Sequence, residues 1–252
     1  MDYIVGFFVA MAVGLTGVGG GTLTVPVLIL FRETPASEAV GTALLFVTFT
    51  KLLATPVYYL RGQIHWRTSS YLLLGGLPGV VLGSLVLARM KTASLQPLVL
   101  TVVGLTVVLM AALGLWKLMG VRQRPAGKSR EKWLPWLALP LGVEVGFSSA
   151  GAGALGTLVL MECTSLDTGS VVGTDLVFGL VLSAVGGGLH LVSGTMNRDL
   201  LLHLSIGGVF GAAAGAWLGS WLPSRPLRAA LTAFLVLLGG QLAWRGLQGL
   251  AR

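Results

Sequence analysis

Charged residues are scarce in this sequence, at 10% of 252 positions, whereas a soluble domain averages about 25%. Hydrophobic residues make up 54% of the chain, and the mean hydropathy is +0.86. The composition therefore excludes a water-soluble globule and indicates a protein whose surroundings are the lipid bilayer.

Cysteine is nearly absent, since Cys163 is the single one. One cysteine excludes an intramolecular disulfide and a metal site built from cysteines. The three histidines, His65, His190 and His203, share no metal-ligand spacing, so we expect them to be hydrogen-bonded or interfacial. The sequence thus predicts no metal and no other cofactor.

The net charge of +8 is compatible with nucleic-acid binding, but the basic residues gather between hydrophobic stretches, as the positive-inside rule requires. Residues 117–133 contain six basic residues and a single acid, Glu131. We therefore predict that this linker is cytoplasmic, that the protein lies in the inner (plasma) membrane, and that nucleic acid is not a partner.

Eight stretches are apolar and long enough to cross a hydrocarbon core of about 30 Å as helices. They span residues 3–30, 39–60, 70–88, 95–116, 134–161, 169–193, 200–222 and 227–249. We predict an all-α integral membrane protein with a first membrane repeat over 1–116, the basic linker, and a second repeat over 134–252. The first stretch is preceded by the acidic Asp2 rather than by a basic region, and it is too long for a signal peptide, so we expect it to remain in the protein.

An internal repeat divides the chain into these two halves. Shifting the sequence by 132 residues aligns 14–90 with 146–222 without a gap, giving 17 identities in 77 positions. Nine identities are glycine pairs, and a further run matches 40–42 with 172–174. Duplication of this kind is typical of secondary transporters, whose substrate sites lie near the midplane between the repeats.

The first stretch of each repeat contains a glycine-rich segment, at 14–21 and 146–153. A continuous crossing here gives parallel repeats, whereas a re-entrant hairpin leaves three spans per repeat and makes the repeats inverted. Without Lys51, Glu144 and Asp175, which lie inside apolar stretches, the loop charges are +8 inside and +1 outside in the first case and +7 and +2 in the second, so they do not decide. We favour a hairpin or a sharply broken helix, because segment 14–21 has five glycines in eight residues and suits a continuous helix poorly.

These breaks predict half-helices that begin within the membrane. Pro26 follows the first glycine segment, and we expect it in a first helical turn, where its missing N–H has no partner. The free N–H groups and the positive dipole end of such a helix bind anions. Ser148 and Ser149 add hydroxyl donors in the second repeat. The alternative is that the small residues only permit close helix packing.

The glycine segments belong to a larger set of motifs, repeated in part after the linker. They are Gly17-Val-Gly-Gly-Gly21 with Pro26, Val40-Gly-Thr42, and Tyr59-Leu-Arg-Gly62-Gln-Ile-His-Trp66. Across nearly the whole chain this combination resembles the TauE/SafE family of sulfite and organosulfonate exporters. The second repeat resembles a subset of that family with a Ser/Ala-rich motif followed by Gly173-Thr-Asp175, which leaves the particular substrate open.

The resemblance implies transport of a small anionic substrate such as sulfite or a sulfonate, and it admits coupling to protons. Together with the breaks it predicts a substrate site formed by Gly19, Gly20, Gly21, Thr22, Thr42, Ser148, Ser149, Gly151, Gly153 and Thr174.

Three ionisable residues lie inside apolar stretches: Lys51, Glu144 and Asp175. Each costs about 2.5–3.5 kcal/mol near the centre of a membrane helix on insertion scales, so each is a candidate for a coupling role. Asp175 directly follows the repeated Gly-Thr pair, where the first repeat has Ala43. For Asp175 the alternative is a structural hydrogen bond, and for Lys51 we favour a structural ion pair.

The leading hypothesis is a secondary transporter or exporter of small sulfur-containing oxyanions. An integral membrane enzyme is the first alternative, but it requires a catalytic cluster of His, Asp or Glu, and the sequence has none. A non-transporting assembly partner is the second, and it leaves the two repeat-equivalent breaks unexplained. The sequence does not determine the oligomeric state, the direction of transport or the coupling ion.

Overall fold

The computed structural model describes residues 2–16, 20–90, 95–118, 131–150, 153–219 and 224–250. All regular structure within these ranges is helical, including a short 3-10 helix at Glu131–Trp133. The prediction of an all-α protein is therefore confirmed for the part of the chain that the structure describes.

The α-helices are numbered here in chain order. They are α1 (Asp2–Thr16), α2 (Gly20–Arg32), α3 (Ala36–Leu60), α4 (Trp66–Arg89), α5 (Gln96–Leu118), α6 (Leu134–Ser148), α7 (Ala154–Cys163), α8 (Thr168–Val192), α9 (Arg198–Gly219) and α10 (Ser224–Leu250).

Five of the described helices are long and apolar enough to cross a membrane, by length and composition. The qualifying stretches are Ala36–Leu60, Trp66–Arg89, Gln96–Gly114, Thr168–Val192 and Ala229–Leu250. The predicted segments 3–30 and 134–161 are each divided between two shorter helices, α1 with α2 and α6 with α7. Even the 15-residue helices α1 and α6 reach only about 22 Å, less than the hydrocarbon core.

Helices α1 and α2 form a hairpin. Arg32, the last residue of α2, makes an ion pair of 3.1 Å with Asp2, the first residue of α1. The two helices therefore run antiparallel, with the start of α1 and the end of α2 at the same end of the molecule.

The prediction that Pro26 lies in the first turn of a helix is wrong. Helix α2 begins at Gly20, so Pro26 lies inside the helix rather than in its first turn. A proline at this depth removes one backbone hydrogen bond. Gly20 and Gly21, which we expected to lie before the helix, are buried and form its first turn.

The two repeats are interlocked through glycine contacts. A Cβ atom at Gly207 of α9 would overlap the backbone oxygen of Tyr3 in α1, and one at Gly75 of α4 would overlap the backbone oxygen of Pro135 in α6. These two contacts are equivalent under the 132-residue shift. Each repeat thus packs its first helix against the glycine-rich helix of the other repeat, at the close distance that small residues permit.

Helices α3 and α8 cross at the centre of the fold and are also repeat-equivalent. Gly41 near the start of α3 contacts His190 near the end of α8, whereas Thr48 further along α3 bonds Ser183 earlier in α8 at 3.0 Å. The two helices therefore run antiparallel. Two fully buried rings flank them, because Phe46 packs on Gly208 and the equivalent Phe178 packs on Gly76.

The antiparallel crossing defines two ends of the molecule. The Asp2 end carries the starts of α1, α3 and α9 and the end of α2. The His65 end carries the starts of α4, α6 and α8.

The turns after α3 and α8 are repeat-equivalent as well. Gly62 has a φ of 66° and Gly194 a φ of 63°, which is the left-handed region that glycine adopts without strain. Helix α8 has a side-chain N-cap, since Asp167 accepts hydrogen bonds from the backbone N–H groups of Gly169 and Ser170. These residues fix where the long central helices end and begin.

Candidate functional site at the two helix breaks

The two glycine-rich breaks meet inside the protein. A Cβ atom at Gly21, in the first turn of α2, would overlap both the backbone oxygen and the hydroxyl oxygen of Ser149, just beyond α6. Gly20 and Thr22 are buried beside it. Two of the predicted site residues, Gly19 and Gly151, lie outside the described residues. The contact unites the first repeat's break with the second repeat's break, as one shared site requires.

Ser149 has an unusual conformation and an unusual environment. Its φ of 63° places it in the left-handed region at the C-cap of α6. The residue is 3% exposed, and its hydroxyl oxygen has no hydrogen-bond partner among the described residues. An unsatisfied buried hydroxyl is costly, and strained backbone of this kind is typical of functional sites.

The start of α2 presents the backbone groups that an anion site needs. The first four N–H groups of any α-helix have no partner within the helix. Thr24, one turn into α2, donates its hydroxyl to the backbone oxygen of Gly20 at 2.7 Å, an acceptor within its own helix. Because Gly20 and Gly21 have no side chains, a small ligand can approach the backbone closely.

Ser148 and Glu144 form a second polar group at the end of α6. The Ser148 hydroxyl donates to Glu144 Oε1 at 2.5 Å and accepts from the N–H of Ala150 at 3.2 Å. Ser148 is fully buried, and Glu144 is partly exposed. Both residues lie within about one helical turn of the end of α6, and Ser148 links the Glu144 carboxyl group to the backbone of the break by these two hydrogen bonds.

Asp175 reaches the start of the second half-helix. A Cβ atom at Gly156, in the first turn of α7, would overlap Asp175 Oδ1, and Asp175 is 5% exposed. Gly153, the N-cap of α7, has a φ of 125°. Because it is a glycine, it has no side chain that could cap the helix. The Asp175 carboxyl group therefore lies where a helix dipole favours negative charge. The first repeat has Ala43 at the equivalent position.

Lys51 is a buried cation that interacts with this carboxyl group. It is 8% exposed, and it interacts attractively with the Asp175 charge. The two opposite charges offset each other in the interior of the fold, where an isolated charge is expensive.

Thr42 and Thr174 are fully buried, but their hydroxyl groups bond to backbone outside the breaks. Thr42 Oγ1 accepts from the N–H of Asn197 at 3.1 Å, and Thr174 Oγ1 accepts from the N–H of His65 at 3.1 Å. The sequence did not single out Asn197 or Gly156. The signal for Asn197 was its place exactly one repeat length after His65.

A cavity of about 340 Å³ opens at the Asp2 end, away from the α1–α2 break. Its lining includes Asp2, Arg32 and His203, and His203 Nδ1 lies 3.7 Å from Asp2 Oδ2. Among the described residues, no group of three or more His, Cys, Asp or Glu side chains is placed to hold a metal ion.

Membrane-length helices around two broken helices that meet in the interior define a multi-pass membrane protein. A family model described as Sulfite exporter TauE/SafE matches residues 3–242, and the chain belongs to that family. The resemblance drawn from the motifs is thereby confirmed.

Curated relatives agree with this assignment. The chain is 27% identical over 255 residues to the probable membrane transporter protein YjnA of Bacillus subtilis, covering 94% of this chain and 96% of that protein. It is 23% identical to the probable membrane transporter protein YunE of the same organism, covering 97% of each. A probable membrane transporter protein of Xylella fastidiosa is 33% identical over 106 residues, 42% of this chain and 40% of that protein. No solved structure matches significantly. The family and these relatives make the protein a membrane transporter.

Proposed function

We propose that the protein is a secondary transporter of small sulfur-containing oxyanions, such as sulfite or sulfonates, held at the midplane by the N-terminal ends of α2 and α7. The observation that carries the proposal is the contact between Gly21 and Ser149. It brings a helix N-terminus from one repeat against a buried hydroxyl group from the other, and that hydroxyl has no hydrogen-bond partner among the described residues.

The chemistry of this site suits an oxyanion. Backbone N–H groups at the start of α2 and the Ser149 hydroxyl are hydrogen-bond donors, and an oxyanion supplies only acceptors at its charged oxygens. The dipole of α2 adds a favourable field without a buried arginine. An anion of a few atoms fits such a site better than a large substrate, because Gly21 and Ser149 are already in contact.

We propose inverted repeats in the bilayer. The antiparallel packing of α3 and α8 supports this arrangement, as does the α1–α2 hairpin, which leaves three long helices in the first repeat. With residues 117–133 in the cytoplasm, the His65 end faces inward and the Asp2 end outward. The positive-inside rule favours this orientation, since the inner loops carry +7 and the outer loops +2.

We also propose proton coupling through Asp175, and the support is its place at the start of α7. A carboxylate at this position repels an anion bound nearby, whereas the protonated carboxyl does not. Anion binding and proton uptake are then positively linked. Glu144, bonded to Ser148 at the other side of the break, is the second group able to carry the proton, and the Lys51 charge balances Asp175 in the proton-free state.

The test of the anion site is Ser149→Ala, measured as sulfite affinity of the purified protein by calorimetry. Loss of a hydrogen bond to a charged ligand costs about 1.5–3 kcal/mol, so we expect affinity to fall by about tenfold or more. Ser70→Ala is the matched control, because the Ser70 hydroxyl is exposed and bonds only its own helix, at Trp66 O. Equal sulfite affinity in Ser149→Ala, Ser70→Ala and the parent would place the anion elsewhere.

A further inference from the structure

Two hydrogen bonds in this protein repeat at a spacing of 132 residues in both donor and acceptor. Thr42 accepts from the N–H of Asn197, and Thr174 accepts from the N–H of His65, each at 3.1 Å. A threonine that merely satisfied its own helix would bond the carbonyl four residues back, as Thr48 does with Leu44 at 2.8 Å. The Gly-Thr threonines instead bond across the repeat boundary.

The two bonds lie at opposite ends of the molecule. Thr42 and Asn197 join α3 to the start of α9 at the Asp2 end. Thr174 and His65 join α8 to the start of α4 at the His65 end. Each bond links one repeat to the other, so separating the repeats at either end breaks the bond at that end and leaves the other intact.

The glycine before each threonine brings the same elements together. A Cβ atom at Gly41 would overlap the backbone oxygen of Thr195, and one at Gly173 would overlap the backbone oxygen of Gln63. Thr195 and Gln63 are again equivalent positions in the two repeats. The Val-Gly-Thr motif thus supplies a close backbone contact and a hydrogen-bond acceptor to the loop of the opposite repeat.

We infer that Thr42 and Thr174 are positioning residues that hold the two ends closed, and we name the Thr42–Asn197 bond the outer latch and the Thr174–His65 bond the inner latch. This inference rests on the proposed transport function, since alternating access requires each end to open in turn. With both latches formed, the structure has the two repeats joined at both ends, and the cavity at the Asp2 end lies beside the outer latch, since Asn197 lines it. Opening toward one side breaks one latch only.

The strength of a latch suits a reversible gate. One neutral hydrogen bond contributes little net stability, equivalent to about a threefold to tenfold change in an equilibrium constant. Such a bond biases the closed state without locking it. A buried threonine suits this role, because water can replace the backbone N–H group as the hydrogen-bond partner of its hydroxyl when that end of the protein opens.

The test is cysteine accessibility in the purified full-length protein with Cys163→Ala as background. Reporters are Ser37→Cys, 8% exposed in the parent near the outer latch, and Ser69→Cys, 2% exposed beside the inner latch. Thr42→Val keeps the side-chain shape but removes the acceptor, and we expect it to raise the maleimide labelling rate at Ser37 about threefold to tenfold while leaving Ser69 unchanged. Thr174→Val should do the reverse.

Serine substitutions provide the matched controls, since Thr42→Ser and Thr174→Ser retain the hydroxyl and should restore parental labelling. Two results overturn the inference: valine variants that raise labelling at both reporters together, which indicates general loosening, or valine variants that change neither reporter. Because labelling requires no substrate, these outcomes are independent of whether the protein carries sulfite.

Discussion

Replacing Gly21 by alanine should separate the two helix breaks. The added methyl group would meet the backbone oxygen and carbon of Ser149, which cannot rotate away as the end of a side chain can. Forcing extra atoms into packed structure typically costs about 1–3 kcal/mol, and a backbone obstacle belongs at the upper limit. Alanine regains about 1 kcal/mol of helix propensity over glycine, so a net loss of about 2 kcal/mol remains.

Gly20→Ala is the internal control for this prediction. A Cβ atom at Gly20 would lie 3.1 Å from a methyl group of Val47 and 4.0 Å from one of Val13. A methyl group yields by a few tenths of an ångström, and the helix-propensity gain offsets that cost. We therefore expect Gly20→Ala to stay within about 1 kcal/mol of the parent in stability.

The assay is thermal unfolding in detergent, with and without sulfite. A loss of about 2 kcal/mol lowers the apparent Tm of a chain of this size by about 4–8 °C, and the Gly21→Ala variant should also lose most of the upward shift in Tm that bound sulfite gives the parent. If Gly21→Ala and Gly20→Ala have the same Tm, the two breaks are not packed against each other through Gly21 and Ser149.

Two further predictions concern coupling and orientation. Asp175→Asn imitates the protonated carboxyl group and should retain anion exchange in proteoliposomes while losing acceleration by a pH gradient. If the Asn variant responds to the gradient as the parent does, Asp175 is a structural residue and Glu144 is the next candidate for proton coupling. Ser129→Cys, in the basic linker, should react with membrane-impermeant maleimide only after the inner face of the membrane is exposed, since the linker is proposed to be cytoplasmic. Labelling in intact cells would show that the linker faces outward.

The helical class and the places of the breaks could be predicted because they depend on local composition. Long apolar runs specify membrane helices, and the clusters at 14–21 and 146–153 mark where helices stop. The exact helix start could not be predicted. Pro26 suggested a later start for α2, because proline preference describes an isolated helix end, whereas burial against Ser149 extends the helix to Gly20.

The partners of the site residues depended on tertiary contacts that spacing alone does not reveal. The repeat identified Thr42 and Thr174 as a pair, and a substrate role was the natural prediction from their motif. Their hydroxyls bond the backbone of Asn197 and His65 instead, residues that are distant in sequence.

Asp175 is the opposite case. Its place in an apolar stretch indicated a special role, but the sequence did not predict which residue its carboxyl group contacts. The structure brings its carboxyl group to Gly156 at the start of α7, because α7 and α8 pack side by side after the break.

Efflux of radiolabelled sulfite from proteoliposomes containing the purified protein tests the central claim most directly. The account predicts efflux that is faster than from protein-free liposomes, that saturates with sulfite concentration, and that sulfoacetate or another small sulfur oxyanion slows by competition. If correctly folded protein releases sulfite, sulfoacetate, thiosulfate and sulfate no faster than empty liposomes do, the two helix breaks do not form a site for transported sulfur oxyanions.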